Sequence, residues 1–216
     1  MSTDPELVLY AEPTWTSPWV LHALVALEEK GLPYRTEVVP VPVAEPLRAE
    51  WLRRGVLAKV PMLVHGEFWL SESLAISEYV AETFPSTQGF PRLFPADLRD
   101  RGRARQLMGL LRTTMFALRE ARPTSTVFGR PVKTPLTDKA HADASELVRV
   151  AGQLLAHGKP ALFGAWCIAD VDLSLALMRL VANDDPLPAQ LADYAHAQWQ
   201  RPSIRKFLSN VPTQRL

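Results

Sequence analysis

Residues 85–96 read PSTQGFPRLFPA, three prolines and a glycine in twelve positions. Neither a helix nor a strand ladder tolerates that density of proline, so the stretch predicts a linker. The patterns on its two sides differ. Before it, ELVLYA (6–11) reads as a strand, residues 18–30 carry helical periodicity closed by Gly31, and YRTEVV (34–39) reads as a second strand. EPLRAEWLRR (45–54) predicts a short helix. MLV and EFWL flank His65–Gly66 as a two-residue hairpin, and residues 71–84 return to the helical period. After the linker only helical runs remain, at about 97–121, 138–157, 170–183, 188–199 and 202–209.

The expected order of the first part is β-α-β-(α)-β-β-α. A right-handed parallel β-α-β unit with an antiparallel hairpin added to the same sheet is the layout of a thioredoxin-like domain. The expected fold class is therefore α/β plus all-α. A thioredoxin-like domain spans 1–84, a linker 85–96, and a C-terminal helical bundle 97–216. The 122–137 connection in the bundle, RPTSTVFGRPVKTPLT, is longer than most helix connections and is a candidate for lining a site.

Composition excludes several classes of function. With 24 basic and 23 acidic residues, the formal net charge of +1 offers no global field for nucleic acid or an anionic membrane. The alternating charges of DLRDRGRAR (97–105) suit a solvated or subunit-facing helix. The longest apolar stretch, WVLHALVAL (19–27), is shorter than the roughly 20 residues of a membrane span. The start, MSTDPELVLYAEP, lacks the basic and apolar regions of a signal peptide, so no export is expected. A single cysteine, Cys167, allows no intrachain disulfide and fits a reducing cytoplasm. The five histidines, 22, 65, 141, 157 and 196, show no metal-ligand spacing, and no metal site is expected.

Three short pieces of the first domain carry candidate chemistry: Ser17–Pro18 at a helix start, Val60–Pro61 entering a strand, and Ser71-Glu72-Ser73 opening a helix. Each has a plain structural explanation. Serine followed by proline is a common N-cap and first helical turn, proline is tolerated at a strand's first position, and Ser71 reads as a helix cap. In this order and spacing, with KVPMLVHGEFWLSESLAISEYV as the most specific part, they resemble the glutathione-binding domain of glutathione transferases. The stretches SPWVLHALVALEEKGLPY, REARPTSTVF, LFGAWCIADVDLSLALMRLV and YAHAQWQRPSIRKF extend the resemblance, from about residue 7 to 208, to the bacterial YfcF-type, serine-dependent branch.

That resemblance implies reduced glutathione as co-substrate, with no permanently bound cofactor, and a small electrophile, peroxide or disulfide as second substrate. It also implies a cytoplasmic homodimer. Ser17 becomes the catalytic hydroxyl that donates to the glutathione thiolate, with Thr14 and Thr16 as competing donors. Lowering a thiol from about 8.5 to about 6.5 takes roughly 2.7 kcal/mol, within reach of one charge-assisted hydrogen bond and a helix N-terminus. A cis Val60–Pro61 bond would present the Val60 backbone to the cysteinyl unit. Glu72 and Ser73 would take the γ-glutamyl ammonium and carboxylate. Lys59 would approach the glycyl carboxylate, with Arg53 and Arg54 as competitors. A non-catalytic glutathione-binding or scaffold protein of the same fold is the alternative.

In the second domain, WCIADVDLSLA resembles the transferase motif that opens a buried helix. By that resemblance Cys167 would stand at the cap position and Asp170 would bond back to backbone N–H groups. Cys167 then reads as a buried small residue, not a nucleophile. Trp15, Trp19, Phe116 and Trp166 are aromatic candidates for an electrophile pocket, although aromatics at helical spacing normally belong to a core.

Overall fold

A computed structural model describes residues 6–212 of the chain. Residues 1–5, part of the start on which the expectation of no export rests, and the last four residues of the expected bundle lie outside them. The described chain divides into two compact units, residues 6–93 with 206–212, and residues 94–205. Residues 206–212 thus leave the helical bundle in which the sequence reading placed them, because Phe207 packs edge-on against Trp15 and Lys206 pairs with Glu28 at 2.8 Å.

In the first unit, β1 (Leu7–Ala11) is followed by α1 (Pro18–Glu29), β2 (Tyr34–Val38), α2 (Leu47–Gly55), β3 (Met62–His65), β4 (Phe68–Ser71) and α3 (Ser73–Thr83). The sheet order is β2-β1-β3-β4, with β1 parallel to β2 and antiparallel to β3. This is the expected thioredoxin-like layout. Alternation along β1 and β3 puts Val8, Met62 and Val64 into one cluster with Val39, Val43 and fully buried Trp51 of α2. Gly55 lets α2 approach the sheet: a Cβ there would stand 2.7 Å from the end of Met62. On α1, every residue from Val20 to Leu27 is buried, His22 included, where its Nε2 meets Ser77 Oγ of α3 at 3.2 Å.

Two local expectations move by a residue or two. The hairpin turn is Gly66–Glu67, not His65–Gly66, because His65 pairs with Phe68 in the ladder and its Nδ1 meets the Tyr79 hydroxyl at 2.8 Å. Gly66 supplies the positive φ, +57°, that the turn demands. Ser71 is not a helix cap. It ends β4, and its hydroxyl donates to the Gly55 carbonyl at 3.2 Å.

The second unit is helical: α4 (Leu98–Thr113), α5 (Phe116–Ala121), α6 (Thr124–Phe128), α7 (Asp138–Leu155), α8 (Ala169–Val181), α9 (Ala189–Trp199) and the start of α10 (Pro202–Leu208). The run expected over 97–121 breaks at Thr114–Met115, where Met115 adopts φ +57°. The Thr113 and Thr114 hydroxyls both bond back four residues, at 2.9 and 2.6 Å, a habit that bends helices. The 122–137 connection contains α6 and is tied to the end of α8. Arg122, 3% exposed, pairs with Asp185 at 2.6 Å, and Asn183 takes the Val132 N–H at 2.8 Å.

Candidate functional site

The sheet register brings the candidate residues together. Tyr10 pairs with Met62, and Met62 pairs with Ser71, so these three form one row across the sheet. β1 runs out of that row toward Glu12–Ser17, β3 enters it from Lys59–Pro61, and β4 leaves it into Glu72–Ser73. Positions separated by more than 50 residues in the sequence therefore share one end of the sheet.

Ser17 is the N-cap of α1 and half-buried, and its Oγ accepts the Val20 N–H at 3.3 Å. Its own backbone N–H goes to Glu12 Oε1 at 2.7 Å. A serine hydroxyl has two acceptor sites and one hydrogen, so capping the helix leaves the hydrogen available. Capping and donation are compatible in one side chain. The competing donors differ: exposed Thr14 and half-buried Thr16 meet each other through their hydroxyl oxygens at 3.0 Å.

The Val60–Pro61 bond is cis, in accord with the expectation. Val60 is half-buried, Pro61 buried, and Lys59 exposed. The basic competitors separate. Arg54 reaches Glu50 at 3.2 Å and Glu67 at 3.3 Å and lies over the Trp69 ring, so its charge is already shared. No such ion pair engages Lys59 or Arg53 among the described residues.

Glu72 occupies the N-cap position of α3 with φ +69°, but its side chain makes no capping bond. The N-cap side chain thus does not occupy the mouth of α3, and a helix mouth is an ordinary setting for an anion. Ser73 opens the helix and is 2% exposed, while Glu72 is exposed. Trp15 is a second non-glycine residue at this end of the sheet in the left-handed region, at φ +50°. Such outliers persist where surrounding structure enforces them and concentrate at functional sites.

One residue of the site was missed from the sequence: Glu12, which clamps the turn before Ser17. Trp15, a candidate for an electrophile pocket or a core, is buried and anchors that turn on Phe207 with ring centroids 5.5 Å apart. A glutamate in a polar turn carries no local signal of its role.

In the second unit, α8 opens at Ala169 with Ile168 at the N-cap position, one residue beyond the expected Cys167. The Asp170 carboxylate nevertheless reaches back to the Cys167 N–H at 2.9 Å, and also takes the Leu162 N–H at 2.9 Å and the Tyr194 hydroxyl at 2.7 Å. Burial, reinforced by the Asp170 charge, pushes the Cys167 thiol far above its ordinary range, which leaves it inert. Phe116, expected in a core if not in a pocket, is 64% exposed beneath the Arg119 guanidinium. Trp166 lies under Arg201 at 4.4 Å.

The family model for the glutathione S-transferase C-terminal domain matches residues 97–212, more than half of the chain. The chain belongs to the glutathione S-transferase family. The model for the N-terminal domain of this family matches residues 16–83, which include Ser17, Val60–Pro61 and Glu72–Ser73. A crystal structure of a glutathione transferase homologue from Burkholderia GL BGR1 with bound glutathione is 32% identical, covering 94% of this chain and 96% of that one with a TM-score of 0.77. A glutathione transferase Omega 3C from Trametes versicolor, 22% identical and covering 97% of this chain and 90% of that one, shares the fold with a TM-score of 0.72. Among curated relatives, Glutathione S-transferase U13 of Arabidopsis thaliana is 38% identical over 94 residues, 43% of this chain and 39% of that protein. Glutathione S-transferase F10 of the same plant is 31% identical over 124 residues, 57% of each. The chain thus spans about two fifths to three fifths of the length of these curated relatives.

Proposed function

We propose that this member of the transferase family binds reduced glutathione at the sheet end that holds Ser17, Val60–Pro61 and Glu72–Ser73, and uses its thiolate on a small electrophile, peroxide or disulfide. The observation that carries the reading is Ser17: an N-cap whose oxygen serves the helix while its hydroxyl hydrogen has no acceptor among the described residues. In this reading Ser17 donates to the sulfur, and the Val60 backbone meets the cysteinyl unit. The α3 N-terminus, with Ser73, takes the γ-glutamyl carboxylate, Glu72 its ammonium group, and Lys59 the glycyl carboxylate. The cargo brings the thiol, so the helix start needs no cysteine of its own.

Peroxide or disulfide reduction, as in the YfcF-type branch that the sequence resembles, is the finer expectation, with a cytoplasmic homodimer as the working form. No helix among the described residues is long and apolar enough to cross a membrane. The test is a calorimetric titration with reduced glutathione, followed by turnover assays with an aryl halide, an organic hydroperoxide and a mixed disulfide. Saturable binding with turnover of at least one of the three supports the proposal. Binding without turnover replaces it with a glutathione-binding module, and absence of binding refutes both.

A further inference from the structure

Glu12 sits where a carboxylate is costly. It follows the last residue of β1, is 7% exposed, and its Oε2 is buried with no hydrogen-bond partner among the described residues. Burial of a charge with half of its acceptor capacity unused works against stability, so its placement calls for another reason. The other oxygen supplies one. Oε1 accepts the N–H of Thr16 and the N–H of Ser17, each at 2.7 Å.

Those two bonds reinforce a turn whose own backbone bond is long. Trp15 stands at φ +50°, a conformation bulky residues seldom adopt, and the turn bond from its N–H to the Glu12 carbonyl is long at 3.4 Å. The Trp15 ring on Phe207 holds one side of the turn and the Glu12 carboxylate the other. The consequence falls on Ser17. Its N–H is taken by Glu12 and its Oγ accepts from Val20, so the one donor left on the residue is the hydroxyl hydrogen.

We propose that Glu12 is the positioning residue of Ser17: it fixes the turn that aims the hydroxyl hydrogen. By occupying the Thr16 and Ser17 N–H groups, it also makes that hydroxyl the donor on which thiolate stabilisation depends. The inference rests on the reading of Ser17 as thiolate donor. Glu12 acts through Ser17 and does not itself touch the sulfur. Its charge, close to where a second anion would form, disfavours the thiolate, so its benefit must come from the acceptor oxygen and its reach.

Acceptor and charge are separated by two variants. Glu12→Gln keeps the length and the oxygen but removes the charge. Glu12→Asp keeps the charge and is one methylene too short to reach both N–H groups in this turn. The readouts are kcat/KM with the most active second substrate and the pH midpoint of thiolate absorbance of bound glutathione, taken for both variants, for Ser17→Ala and for Glu12→Asp with Ser17→Ala.

The expected results are that Glu12→Gln retains at least about a third of kcat/KM with a midpoint no higher than wild type, that Glu12→Asp loses about tenfold with a raised midpoint, and that the double variant is no worse than Ser17→Ala. If Glu12→Gln falls as far as Glu12→Asp, or if the losses of Glu12→Asp and Ser17→Ala multiply, the proposal is overturned. Where Glu12→Asp does not fold, Glu12→Gln decides alone, a raised midpoint counting against it. A Ser17→Ala protein with the wild-type midpoint would instead refute the thiolate reading of Ser17, whatever the Glu12 variants do.

Discussion

Replacing Ser17 by alanine removes two things at once, and the structure says how large each is. The first is the helix cap. At 3.3 Å the Val20 N–H to Oγ bond is at the long end of hydrogen-bonding range, so the loss falls near the low end of the usual cap range, about 0.5–1 kcal/mol. For a chain of this size that lowers the unfolding midpoint by about 2 °C. The second is the thiolate bond. A charge-assisted hydrogen bond contributes about 1.5–3 kcal/mol, equivalent to roughly one to two pKa units on the bound thiol.

The neighbouring backbone does not replace that bond, because Glu12 already occupies the Thr16 and Ser17 N–H groups. If the wild-type thiol ionises near about 6.5 and the variant's near about 8, the thiolate fraction at neutral pH falls by roughly an order of magnitude, and kcat/KM with it. The sign follows from the acid: a thiol with a depressed pKa keeps its advantage in the window between the depressed and free values, so the two proteins converge above about pH 9.

The assay is ultraviolet thiolate absorbance of bound glutathione against pH, with Ser17→Gly as a second variant. Glycine preserves most of the cap free energy while removing the hydroxyl, so it isolates the chemical loss from the structural one. Unchanged thiolate midpoints in both variants would refute the reasoning, and a fall in stability without a shift in midpoint would reduce Ser17 to a cap.

Two predictions concern the helical unit. Asp170→Ala leaves the Leu162 and Cys167 N–H groups and the Tyr194 hydroxyl without their acceptor in a fully buried site, and should destabilise the protein by about 3 kcal/mol in denaturant titration. A loss under about 1 kcal/mol would contradict that network. Cys167, buried and with its thiol pushed upward beside Asp170, should resist a thiol-specific reagent at pH 8 in the folded protein and react only after denaturation. Rapid labelling of the native chain would show that the thiol is accessible.

The short apolar run in ELVLYA, the Ser17–Pro18 helix start, the helical period of 71–84 and the proline-dense break at 85–96 are each decided by a few neighbouring residues, through backbone sterics, capping and apolar pattern. They were sufficient for the element order of the first unit, whereas in the second the run over 97–121 became two helices and the 122–137 connection gained a short one. The same locality explains the small errors. The hairpin shifted to Gly66–Glu67 because His65 found a partner, Tyr79, on α3, and Ser71 ended a strand because the Gly55 carbonyl lay beside it. Neither partner is a neighbour in sequence. The break at Thr114–Met115 was in principle legible in the paired threonines, whose hydroxyls compete for helix carbonyls.

The site divides along the same line. Ser17, Val60–Pro61 and Glu72–Ser73 were found because their residue types carry local signals that a family resemblance could assemble, and the resemblance named the ligand. What makes them one place is the row Tyr10–Met62–Ser71, a product of strand register. Glu12 belongs wholly to the second category. Its sequence context is a plain acidic residue before a proline, and its role exists only because the turn brings the Thr16 and Ser17 N–H groups within 2.7 Å of one carboxylate oxygen. Periodicity and capping, being short-range, were thus determined by the sequence alone. Register, burial and the pairing of distant polar groups were decided only when the sheet and its helices packed, because those depend on which distant segments come to share a surface.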